Sequence, residues 1–76
     1  MSLQDSLRNG ERLLRRRLNQ HELWHKEFGE HPSNFCENLR QQYKKVVGVQ
    51  QEVQRARQIG DLQAAQQALL SLDIRV

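Results

Sequence analysis

His21 and His25 stand four residues apart, with Glu22 beside the first of them. On a helix, residues four apart lie one above the other on a single face, so both imidazoles could grip one Zn²⁺. Glu22 would then act as general base toward a metal-bound water, which is the chemistry of peptide hydrolysis. His31 follows six residues after His25 and offers a third ligand. No other group of residues in the chain spells out a catalytic mechanism.

The string His21-Glu22-Leu23-Trp24-His25 resembles the H-E-x-x-H signature of zinc peptidases, and His31 falls where metzincins place their third histidine. That resemblance implies a zinc-dependent hydrolase, and it covers these residues alone. Around them the pattern departs from the family. Phe28 occupies the place of the turn glycine, Gly29 comes one residue late, and Lys26-Glu27 follow the second histidine. Twenty residues precede His21, too few for a substrate-binding sheet, and Met1 is the sole methionine, so no Met-turn follows. Three fixed positions make a motif of low specificity. The alternative is concrete: His21 and His25 share an apolar stripe with Trp24 and Phe28, where imidazoles can pack in a helix interface. The expectation is therefore packing, with no catalytic residue and no cofactor. Cys36 fits no compact zinc spacing with these histidines and is expected to be buried.

Arginine is the second candidate chemistry. Arg8, Arg12, Arg15 and Arg16 share a broad helix face that could meet phosphate, and Arg40, Lys44 and Lys45 add charge further along. Acids are interspersed, and no finger, helix-turn-helix or aromatic stacking platform is visible. A solvated charged face is the simpler reading. Its alternative is a small nucleic-acid-associated regulator.

These residues are positioned by helices. Gln, Leu, Arg, Glu and Ala dominate, and two breaks punctuate the chain: Gly29 to Asn34, which holds the one proline, and Gly60-Asp61. Pro32 suits a first helical turn, and Asn34 with Glu37 resembles a capping box. Gly60 suits a left-handed helix end and Asp61 the next N-cap. Helices are expected over 3–28, 33–58 and 61–72, with a bend or frayed start at Gly10.

Each helix carries a narrow apolar stripe: Leu3, Leu7, Gly10, Leu14, Leu18, His21, Trp24, His25 and Phe28; Phe35, Leu39, Tyr43, Val46, Val49 and Val53; Leu62, Ala65, Leu69 and Leu72. Two helices of ~40 Å joined by a short loop make an antiparallel hairpin with coiled-coil-like packing, and the third covers only part of it. Leu13, Leu23 and Ile59 lie off the stripes. The end, Leu72 to Val76, alternates like a strand and is expected to pack down or to join another chain's sheet.

Seventy-six residues allow one all-α domain, 1–76, which could equally be a piece of a longer protein. A core this small supplies only ~3–5 kcal/mol, and a lone cysteine forms no internal disulfide, which leaves helix packing and association. No apolar run spans a bilayer and the N-terminus is not a secretory signal, so a soluble, reducing compartment, cytoplasmic or nuclear, is expected. The charge of +3 is modest and sits mostly in the middle third. Together these features favour a non-catalytic module that docks helix faces into a protein partner or into its own copy. Leu7, Leu14, Leu18, Trp24, Phe28, Phe35, Leu39, Tyr43, Val46 and Leu69 are the candidate contacts, with core and interface not yet separated.

Overall fold

A computed structural model describes residues 2–76 of the chain. Its helices are α1 (Leu3–Phe28), α2 (Asn34–Ile59) and α3 (Leu62–Leu70), and there is no strand among the described residues. The fold is all-α. Two 26-residue helices form the antiparallel hairpin, and a nine-residue third helix packs along one side of it. The pairs Glu11–Arg57 and His25–Tyr43 stand in one common register along the hairpin, as antiparallel helices require.

Each helix end is chemically specified. Ser2 Oγ accepts the Asp5 N–H at 3.3 Å and starts α1. At the second start the cap is Ser33 rather than Asn34: Ser33 Oγ accepts the Cys36 N–H at 3.1 Å. Asn34 is the first helical residue, and Glu37 turns to Arg40 instead of back to the cap. Gly60 closes α2 with φ 75°, a left-handed conformation that costs glycine nothing. The Asp61 N–H reaches Ala56 O at 2.9 Å and Gly60 N–H reaches Arg57 O at 3.2 Å, a Schellman pattern. Asp61 Oδ1 then caps α3 through the Ala64 N–H at 3.1 Å. Regular helix in α3 stops at Leu70, two residues before the expected end. Residues 71–73 form a tightening turn in which Asp73 takes φ 59°.

The core lies at the end of the hairpin that α3 covers, called the base here. Leu7 and Leu14 of α1, Val46, Val49 and Val53 of α2, and Ala65, Ala68 and Leu69 of α3 are buried together. The alternating tail folds back onto this core, burying Leu72 and Ile74. Gly10 neither bends nor frays α1. It is buried, and a Cβ there would stand 2.7 Å from both Leu69 Cδ1 and Val76 Cγ1. Glycine lets α3 and the tail approach the helix backbone. At the other end of the hairpin, the tip, α1 and α2 have no third layer.

Candidate functional site

The two histidines of the H-E-x-x-H string are both engaged, but with different partners. His21 is buried at 6% exposure where α3 ends, and its ring meets Trp24 edge-on at 5.1 Å and 87°. Burial, reinforced by the charge of Arg17, holds its pKa below the ordinary value of 6.5. Its Nδ1 is buried without a hydrogen-bond partner, so taking up a second proton would be costly there. His25 is exposed and stacks on Tyr43 across the hairpin, with centroids 4.9 Å apart and planes at 21°. His31 lies in the loop, where its carbonyl accepts a bond from Arg40. Glu22 is exposed in a shallow hollow with Asn19, Leu23 and Lys26. Among the described residues, no three His, Cys, Asp or Glu side chains converge in a way that could hold a metal ion. Cys36, in the first turn of α2, is buried.

The arginine face is solvated. Arg8, Arg12, Arg15 and Arg16 are all exposed. Arg15 borders a groove between α1 and α2 with Gln50, Gln54 and Gln58, while Arg16 lines a different hollow with Asp73 and Arg75. Two other arginines act as clamps. Arg17 Nη1 donates to Leu72 O at 2.5 Å and ties the end of α3 to α1. Arg40 Nη1 donates to Gly29 O at 2.7 Å and His31 O at 3.0 Å, fastening the loop. Its other edge grips Glu37 Oε2, which holds that carboxyl below the usual carboxylate range. Arg40 is therefore committed to the loop rather than added to a phosphate-binding face. Sequence reasoning missed both clamps. Arg17 falls seven residues after the buried Gly10, within the core-facing stripe, and that phase was the available signal. Arg40 follows Glu37 by three, the spacing of a helical ion pair.

The candidate contacts divide into two sets. Leu7, Leu14, Leu18, Val46 and Leu69 are buried and build the internal core. Trp24 at 40%, Phe28 at 39% and Phe35 at 70% remain exposed, with Leu39 and Tyr43 half-buried. The exposed set continues the core stripe. Phe28 lies seven residues beyond His21 and Leu39 seven before Val46, so each repeats its buried counterpart's direction within about 20°. Where α3 ends, Arg17, His21 and Trp24 of α1, Gln42 and Lys45 of α2, and Ser71 to Asp73 frame a cleft of ≈ 440 Å³. Beyond it, the slot that α3 fills over the base runs on uncovered to the loop. We term this stretch the tip trough. No protein-family model, curated protein or solved structure matches the chain. The trough must be read from its own chemistry.

Proposed function

We propose that the chain is a non-catalytic helical interaction module whose working surface is the tip trough. One observation carries this reading. Trp24 and Phe28 lie fourteen and eighteen residues past Gly10, within about 40° of the side from which α3 and the tail approach α1, and they stay exposed beyond the point where α3 ends. Aromatic residues contribute most to interface energetics when a partner desolvates them, and they are costly to leave in water without such a use. The trough is also rigidly presented, because Arg40 pins the loop and His25 stacks on Tyr43. A helix laid along the trough would occupy the position that α3 occupies over the base, meeting the hairpin in the same ridge-and-groove geometry.

Photo-crosslinking in cells tests the proposal. A benzophenone amino acid at position 28, in the trough, should give a discrete protein adduct, whereas one at Gln51 on the outer face of α2 should not. Equal labelling at both positions, or none at either, would refute it.

A second reading rests on the exposed arginines of α1. Outside residues 22–43 the chain carries ten bases against five acids, a field that could attract nucleic acid. Binding to an RNA or DNA duplex would then weaken steeply with salt, and changing Arg12, Arg15 and Arg16 to Ala would flatten that slope. Absence of binding at low salt removes this reading.

A further inference from the structure

Among the described residues, His21 is the one polar side chain buried in the hairpin, at 6% exposure. Its Nδ1 has no hydrogen-bond partner. A neutral imidazole can keep that nitrogen free of a proton, but an imidazolium carries an N–H on both nitrogens. Protonation would therefore seal a charged donor away from water with no acceptor. The charged groups that share its cleft do not offset this. Arg17 stands one turn earlier on α1, Lys45 lines the cleft from α2, and Asp73 lines it from the turn after α3. Burial disfavours the charged ring, and the guanidinium of Arg17 adds to that.

The same cleft is where the covering layer is fastened. Arg17 Nη1 donates to Leu72 O, and among the described residues this is the one hydrogen bond from α1 to the segment beyond Asp61. The turn it holds is built on two carbonyls: Leu69 O accepts from the Leu72 and Ile74 N–H groups at 3.0 and 3.1 Å, and Leu70 O from Asp73 at 2.8 Å. Asp73 takes φ 59°, a left-handed backbone that a residue with a Cβ enters at a cost. Docking against α1 is what keeps the turn in that form. We propose that His21 is an acid-sensitive pin: when its ring takes up a proton, the turn from Ser71 to Asp73 lifts off α1 while the α1–α2 hairpin stays folded. The hairpin keeps Leu14, Val46, Val49 and Val53 packed together, which the turn does not touch off. Release uncovers Leu72, 8% exposed when docked, at the border between base and trough. The device is independent of what docks in the trough.

The direction follows from linkage. With the turn open, the ring returns to water, where the ordinary imidazole value of 6.5 applies; with the turn closed, that value is lowered. The open form therefore binds the proton more tightly than the closed form, and the balance moves toward opening as pH falls below about 6.5. Such an opening is local, so it is read in one segment and not across the chain.

Native-state hydrogen exchange of the full chain at pH 7.5 and 5.5, corrected for the intrinsic pH dependence of exchange, tests the proposal. Protection of the Leu72, Asp73 and Ile74 amides should fall roughly threefold or more at the lower pH, while Val49 and Val53 in α2 keep theirs. His21→Gln, which cannot titrate, should abolish the difference. Arg17→Met should speed exchange in the turn at both pH values and raise the pKa of His21, followed by NMR of its ring. Circular dichroism of each variant at both pH values verifies that the helices remain. Equal protection of the turn at the two pH values, an equal loss in α2, or a loss that persists in His21→Gln would overturn the pin. So would a His21 titration that Arg17→Met leaves unmoved.

Discussion

The base and the tip of this hairpin are built from the same helices and the same stripe, yet they differ in what the stripe does. In the base, α3 and the tail cover it, and Leu7, Leu14 and Leu69 are at most 3% exposed. In the tip, the next turns of the same stripe present Trp24, Phe28 and Phe35 to solvent. The side chains are no less apolar there. What changes is that α3 ends at Leu70 and the chain reverses at Asp73. Whether a residue is core or surface is thus decided by the length of a neighbouring helix.

That contrast is sharpest for single truncations. Leu69→Ala removes a fully buried side chain and should cost about 2–5 kcal/mol, whereas Phe35→Ala in dilute solution should stay within about 0.5 kcal/mol. Urea denaturation at low protein concentration measures both. Similar losses at the two positions would erase the distinction between base and tip.

Gly10 probes how closely the covering layer sits. Gly10→Val should destabilise by about 1–3 kcal/mol, because its Cβ would meet Leu69 and Val76 inside van der Waals distance. Combining it with Val76→Ala should recover part of that loss, so a double-mutant cycle should show coupling. Strict additivity would mean the tail does not press on Gly10. In the tip, Arg40→Met should cost about 1–2 kcal/mol by freeing the Gly29 and His31 carbonyls. Hydrogen exchange should quicken around residues 29–37 and stay unchanged in the base.

The smallest effect is a pH dependence at the boundary between the two regions. Burial and Arg17 hold the His21 pKa below 6.5, so the unfolded chain takes up that proton more readily than the folded one. His21 therefore contributes full stability above about pH 6.5, and that contribution is lost as pH falls through its lowered folded value. Glu37, also lowered, loses its contribution as pH falls through the carboxylate range, in a separate and more acidic window. Melting at pH 7.5 and 5.5 should show a decrease that His21→Gln largely removes. An equal decrease in that variant would place the titration elsewhere.

Much of the frame was legible from residue order. The two breaks, the cap at Asp61 and the left-handed Gly60 follow from local backbone preferences, and the stripes follow from helical periodicity. The division of those stripes was not legible, because it depends on where a third helix stops across the hairpin. His21 and Phe28 point the same way along α1 to within about 20°, and only the position of α3 separates them. Gly10 was misjudged for the same reason: as a local event it weakens a helix, but in three dimensions it admits Leu69 and Val76. Ser33 displaced Asn34 as cap because both types fit that role, and a one-residue shift at a helix start is hard to resolve from composition. The guanidinium clamps Arg17 and Arg40 bond to carbonyls from other segments, a pairing that no spacing rule supplies.

The central claim is that the tip trough is a surface made to be covered, and Trp24, the single tryptophan, reports on it directly. Acrylamide quenching of its fluorescence should be efficient in dilute protein, consistent with its 40% exposure. Quenching should then fall, and the emission shift to the blue, once a docked partner covers the trough, and Phe28→Ser should abolish both changes. Quenching of the free chain no more efficient than that of a buried indole would contradict the account.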